Sequence, residues 1–324
     1  MTTTLVLAET TDAGLNPLSA QALTLARSVG GDVHALVVGP HPAETLGQLG
    51  EQGVATVHHV DDPRLDRFAA PAWAAALAQV ATGTGADAVV AAGTPRGNEV
   101  LAHLAARLDV PMAAHAVSAS PAGAGEPWRL TRQIMGGAAL EDLAVAGSPV
   151  VMTVAPHAVA AEPAASSTQP SVTTVQPDLA DTDLVTQVQT VESGGGGGAD
   201  LAAARVVVGG GRGVGGPEGF GELIELADLL GGTLGVSRVV TSQGWRPHHE
   251  QVGQTGTKIA PDLYVACGIS GAIQHWAGCQ SAKTILAINT DADAPMVTRA
   301  DYAVVGDLHQ VVPAVIAEIK RRSA

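Results

Sequence analysis

Short apolar runs alternate with segments of helical spacing along most of the chain. Leu5–Ala8, Val33–Val38, Val54–Val60, Ala88–Ala92 and Val150–Val154 are the apolar runs of the first half. Between them, Pro17–Ala26, Ala69–Val80 and Glu99–Leu108 carry the spacing of helices, with Asn16 placed as an N-cap before Pro17. Apolar runs without alternation are strands buried on both faces. Their regular exchange with helices predicts a parallel sheet covered by helices and joined by right-handed crossovers.

From Pro156 to about Thr190 the chain turns to Ala, Pro, Ser, Thr and Val, which reads as a crossing segment with a strand around Leu184–Val188. Five consecutive glycines, Gly194–Gly198, follow. No strand immediately precedes them and no helix cap follows, so the run reads as a linker rather than a phosphate cradle. The alternation then resumes. Val206–Val208, Thr233–Val236, Leu263–Ala266, Thr284–Ile288 and Ala303–Val305 are strand-like, while Pro217–Leu230 and Val311–Arg321 are helical. The expected organisation is α/β throughout. It comprises a first domain over residues 1–192, a Gly-rich linker over 193–204 and a doubly wound second domain over 205–324. Ligands of such sheets bind at the carboxyl ends of the strands.

Composition narrows the function. The chain has 324 residues, enough for two cores, and is 46% apolar but only 2% aromatic, so Ala, Val, Leu and Gly must fill those cores. A net charge of −14 excludes a basic nucleic-acid face. Two cysteines, Cys267 and Cys279, give neither a disulfide framework nor a Cys-x-x-Cys metal site. The first residues lack a charged leader region, and no stretch has the ~20 consecutive apolar residues of a membrane span. A cytoplasmic protein without membrane insertion is expected. His248-His249-Glu250 resembles a metal fragment, but adjacent histidines on an extended chain face opposite ways.

The candidate chemistry lies where small polar residues end apolar runs. Gly211, Gly213 and Gly216 satisfy G-x-G-x-x-G, but the nearest acid about twenty positions on, Asp228, falls in a predicted helix, which disfavours NAD. Val252-Gly253-Gln254-Thr255 and Ser270-Gly271-Ala272-Ile273-Gln274-His275 combine close backbone approach with groups able to bond a heterocycle's edge. Neither a Ser-His-Asp set nor a Walker motif is present, so no catalytic residue is assigned.

These two turns strongly resemble the FAD-binding domain of electron transfer flavoprotein alpha subunits. So do Gly210-Gly211-Arg212-Gly213, Ser237-Arg238, Asn289 and Asp307-Leu308, and together the resemblance covers roughly Arg205 to Ile316. It implies FAD as cofactor. It places Arg212 on the FAD, Ser237 near its phosphates and Arg238 over the isoalloxazine. The Thr255 hydroxyl falls at flavin N5 and His275 at the N1/O2 edge, as a donor to the charge that builds on reduction. Ser270–Gln274 fall near the pyrophosphate, and Asn289, Asp307 and Leu308 near the ribityl and adenosine portions. Asp307 also suits a helix N-cap.

The resemblance further implies a heterodimer with a beta subunit and an electron carrier without substrate chemistry of its own. Electrons would come from acyl-CoA and related dehydrogenases and pass to a membrane-associated quinone oxidoreductase, through an anionic semiquinone. Two alternatives stay open on the residues alone. A flavin- or NAD-dependent oxidoreductase would add a proton-transfer residue and a closed substrate pocket. An adenine-nucleotide-binding regulatory protein would keep a phosphate loop without groups for a flavin edge. In the first half, Gly93-Thr94-Pro95-Arg96-Gly97-Asn98-Glu99 before a helix is similar to the family loop in shape only.

Overall fold

The computed structural model describes residues 2–121, 123, 126–190 and 201–323, so the Gly194–Gly198 run lies outside the described residues. The chain forms two compact units, Met1–Glu192 and Ser193–Ala324.

The first unit runs β1 (Thr3–Leu7), β2 (Thr10–Thr11), β3 (Gly14–Leu15), α1 (Pro17–Val29), β4 (Asp32–Val38), α2 (Glu44–Glu51) and β5 (Thr56–Val60). It continues through α3 (Ala70–Thr84), β6 (Ala88–Ala92), α4 (Pro95–Leu108), β7 (Met112–Ser120), β8 (Trp128–Ile134), β9 (Ala139–Val145), β10 (Val150–Val154) and β11 (Ser171–Val175). Asn16 caps α1 as expected, its side chain accepting from Leu18 N–H at 2.8 Å. The large sheet has the order β11-β5-β4-β1-β6-β10-β7-β8-β9, parallel from β11 to β7 and antiparallel beyond. All five residues of β6 and of β10 are buried, which is why these strands read as unbroken apolar runs. One core packs α3 and α4 on one face of the sheet, and a second packs α1 on the other. In α3, alanines supply most of the buried face, so the helix lies close to the sheet around Trp73 and Leu77.

The expectation of a strand at Leu184–Val188 is corrected. Asp181–Leu184 is a 3-10 turn, in which the Asp183 carboxylate accepts from Ala180 N–H at 3.1 Å and pairs with Arg107. The strand of this segment is β11, pairing parallel with β5 at the sheet edge. It carries Thr and exposed Val172 where a buried strand would be apolar. The antiparallel strands β7, β8 and β9 also went unforeseen, because only one side of each is buried and no apolar run marks them.

The second unit runs β12 (Val206–Gly210), α5 (Gly221–Leu229), β13 (Thr233–Val236), α6 (Arg238–Ser242), β14 (Leu263–Cys267) and α7 (Ile273–Cys279). It closes with β15 (Ile285–Asn289), α8 (Pro295–Arg299), β16 (Tyr302–Val305) and α9 (Leu308–Ser323). The five-stranded sheet is wholly parallel, in the order β13-β12-β14-β15-β16. Side chains of α5 and α9 cover one face. Those of α7, α8 and the loop at Ile259 cover the other. Asp228 lies within α5, as the sequence indicated. The His248-His249 pair is not extended: His248–Glu250 is a 3-10 turn with both imidazoles exposed, stabilised by an Arg246–Glu250 ion pair at 2.6 Å. Among the described residues no helix is long and apolar enough to cross a membrane.

Candidate functional site

In the second sheet, β12 has β13 on one side and β14 on the other, so the loops leaving β12 and β14 flank the switch in strand order. Those loops are locked together by backbone. Gly211 N–H donates to the Cys267 carbonyl at 2.9 Å, and Gly213 N–H to the Gly268 carbonyl at 3.0 Å. A Cβ on Gly211 would stand 2.3 Å from the Gly268 carbonyl oxygen, so only glycine permits the approach. Between the two glycines, Arg212 points into solvent.

Beyond β13, Ser237 N–H donates to the Gly210 carbonyl at 3.0 Å. The Ser237 hydroxyl is buried and has no hydrogen-bond partner among the described residues. Such an orphan costs desolvation without compensation, and a ligand oxygen would supply the missing partner. Arg238 follows directly and is exposed. The ion pairs of the second unit's described residues use Arg205, Arg246, Lys283, Lys320, Arg321 and Arg322, and leave Arg212 and Arg238 without a carboxylate.

The loop at Val252–Thr255 is pinned on three sides. Val252 N–H donates to the Val236 carbonyl at 2.9 Å, Gly253 N–H to Thr257 at 3.2 Å and Gln254 N–H to Gln274 at 2.7 Å. A Cβ on Gly278 would come 2.4 Å from Gly253, so loop and α7 touch main chain to main chain. Gln251, itself held by the Thr241 hydroxyl at 2.6 Å, donates to the Thr255 hydroxyl at 3.0 Å. Thr255 is therefore oriented by a side chain, not by its own backbone, and it and Gln254 remain exposed. The Ser270–Gln274 turn is braced by Met296 N–H, which donates to the Ser270 carbonyl at 3.1 Å, and by Gly271 at φ 78°. Ser270, Ala272, Ile273 and Gln274 face solvent at the mouth of this turn.

His275 lies in the first turn of α7. It is buried, and its Nε2 lies 2.7 Å from the Tyr264 hydroxyl of β14. Its Nδ1 is also buried and makes no hydrogen bond of normal geometry. Burial pushes its pKa from 6.5 down to about 4, with the Val252 carbonyl offsetting part of the effect, so the ring is neutral at pH 7. Nε2 is thus engaged by Tyr264, while Nδ1, like the Ser237 hydroxyl, is left without a partner of normal geometry among the described residues. Asn289 donates from Nδ2 to the Ile269 carbonyl at 3.0 Å and accepts from Asp291 N–H at 3.1 Å, holding the Ser270 turn from the side. Asp307 caps α9, accepting from His309 N–H at 3.0 Å, and Leu308 is a core side chain.

The structure thus brings Arg212, Ser237, Arg238, the Val252–Thr255 loop, the Ser270–Gln274 turn, Asn289 and Asp307 to the carboxyl end of one sheet. The sequence reading missed Gln251, Tyr264 and Gly278, whose roles are contacts with other loops. The only local signal was glycine or a polar group within an otherwise apolar helix or strand.

Residues 4–180 match the electron transfer flavoprotein domain, and residues 200–280 match the electron transfer flavoprotein FAD-binding domain. The electron transfer flavoprotein subunit alpha of Bacillus subtilis is 35% identical over 319 residues, covering 98% of this chain and 97% of the relative. That of Mycobacterium tuberculosis is 37% identical over 324 residues, covering 99% of each. A protein FixB of Clostridium saccharobutylicum is 34% identical, covering 97% of this chain and 95% of the relative. The chain belongs to the electron transfer flavoprotein alpha-subunit family and carries its FAD-binding domain. The residues present fit that cofactor: glycine turns at a switch point, an orphaned buried hydroxyl, and two exposed arginines with no ion pair among the described residues. Asn289, Asp307 and Leu308 lie beyond the matched FAD-binding segment but within the span shared with these relatives.

Proposed function

We propose that this chain is the FAD-carrying alpha subunit of a heterodimeric electron carrier, acting in the cytoplasm with a beta subunit as its partner. Electrons arrive from acyl-CoA and related dehydrogenases and leave to a membrane-associated quinone oxidoreductase. Bound FAD supplies the one-electron chemistry, so the chain provides no nucleophile or general base of its own.

The observation that carries this reading is the unsatisfied buried hydroxyl of Ser237, at the same sheet end as two exposed arginines that make no ion pair among the described residues. The Ser237 hydroxyl donates to a phosphate oxygen, and Arg212 neutralises the phosphate charge. Arg238 faces the ring and favours the negative charge that reduction adds. The missing Cβ atoms of Gly253, Gly268 and Gly271 let their turns pack against the backbone of Gln274, Gly213 and Met296, which fixes the turns that face the cofactor. Gln251 fixes the Thr255 hydroxyl, which can donate or accept at flavin N5. Asn289 and Asp307 hold the turn and the helix start where the ribityl and adenosine portions lie.

The test is a reductive titration of the heterodimer. Arg238→Ala lowers the first flavin reduction potential by the equivalent of about 1–3 kcal/mol, discounted from a buried site because the side chain is exposed in this chain. An unchanged potential places the flavin ring elsewhere. Dye-linked turnover with an acyl-CoA dehydrogenase, and its absence with small substrates alone, separates a carrier from an oxidoreductase.

A further inference from the structure

A chain of side-chain hydrogen bonds leads from α6 to the exposed end of the Val252–Thr255 loop. The Thr241 hydroxyl on α6 lies 2.6 Å from Gln251 Oε1, and Gln251 Nε2 lies 3.0 Å from the Thr255 hydroxyl. Gln251 is 2% exposed, so its amide depends on those two partners rather than on solvent. Its main chain is fixed. The N–H donates to the His248 carbonyl at 2.9 Å, and the carbonyl accepts from Thr257 N–H at 2.7 Å. Gly256 packs beside it, since a Cβ there would stand 3.0 Å from Gln251 Cβ.

The backbone is fixed, but the sense of the amide is not. Both of its partners are hydroxyls, and a hydroxyl donates or accepts. The two ends of an amide have nearly the same shape, so a half-turn about Cγ–Cδ exchanges oxygen and nitrogen in the same space. Thr241 has the second acceptor that the half-turn needs: its hydroxyl also lies 2.9 Å from the Arg238 carbonyl, three residues earlier on α6. That hydroxyl has one proton for two acceptors. In the first sense Thr241 donates to Gln251 Oε1, Nε2 donates to the Thr255 oxygen, and the Thr255 proton is free to point outward. In the second sense Thr241 donates to the Arg238 carbonyl and accepts from Nε2. Oε1 then takes the Thr255 proton, and Thr255 presents only its oxygen. Neither end of the buried amide is unpaired in either sense.

We infer that Gln251 is a positioning residue that sets whether Thr255 donates to the cofactor or accepts from it. The inference rests on the proposed FAD site, with Thr255 at flavin N5. A bare N5 accepts and an N5–H donates, so one threonine serves both when the amide behind it turns. A backbone N–H in the place of Thr255 would serve only the bare nitrogen.

The experiment uses the full complex with its partner subunit, loaded with FAD isotope-labelled at N5 and read by nitrogen NMR in the oxidised and the reduced protein. Thr255→Val removes the hydrogen-bond shift of the N5 signal in both. Gln251→Glu holds Thr255 in its accepting sense, because an ionised carboxylate only accepts. It moves the oxidised N5 signal to the Thr255→Val position and leaves the reduced signal as in wild type. The oxidised shift returns as pH falls and the carboxylate takes up a proton. In wild type, cross-relaxation places the Gln251 amide protons nearer the Thr255 methyl when the protein is oxidised and nearer the Thr241 methyl when it is reduced, a readout that needs no change at Gln251. Gln251→Glu altering both N5 signals, or neither, overturns the proposal, as does the same methyl lying nearest in both states. Thr255→Val with wild-type N5 signals removes the flavin from Thr255, and the reading of the site then fails with the proposal.

Discussion

Acidification tests the placement of His275 most directly. In the folded chain the imidazole has a pKa of about 4 against 6.5 when free, because burial disfavours its charged form. The unfolded chain therefore takes up a proton between pH 6.5 and 4 that the folded chain refuses. Stability from this residue is fully present above pH 6.5, is lost as pH falls towards 4, and changes no further below that. The gap between 6.5 and about 4 corresponds to about 3 kcal/mol, a large share of a domain's stability. Urea unfolding of wild type and His275→Gln, at steps from pH 7 to 4, isolates the effect. Other titrating groups, such as Glu9 in the first unit, cancel in the difference. The stability difference should shrink by about 3 kcal/mol across that window. A difference that stays flat with pH would refute a buried, neutral ring.

Tyr264→Phe should cost about 1–3 kcal/mol, because it strands the buried Nε2 of His275 without its partner at 2.7 Å; thermal unfolding of the variant checks it. Gly278→Ala places a Cβ 2.4 Å from Gly253 and should lose about 1–3 kcal/mol by overpacking, with weaker flavin retention on gel filtration as the loop moves. A fragment of residues 201–324 should unfold cooperatively, since the second unit's two hydrophobic clusters draw all their residues from it; non-cooperative melting would count against that independence.

The buried parallel strands were legible because a strand covered on both faces needs apolar residues throughout, as β6 and β10 show. The loops of the second unit were legible through glycines whose missing Cβ atoms permit backbone contact, as at Gly211 and Gly271. What could not be read was pairing over long separations. Tyr264 and His275 stand 11 positions apart, and only the fold reveals that their side chains bond each other. Likewise, Thr94 bonds Glu9 across 85 positions of sequence, and no local pattern encodes that. β11 was displaced in the reading because an edge strand with Thr outward carries less apolar signal than the Leu184–Val188 stretch that turned out to be a turn and its exit.

The division of labour in the Val252–Thr255 loop bears on how this protein can be changed. Its position is fixed by main-chain bonds and by the contact of Gly253 with Gly278, while Arg238, Gln254 and Gln274 stand outside the packing. Selection, or an engineer, can therefore exchange those outward side chains to retune redox behaviour without first repairing the scaffold. The glycines allow no such freedom.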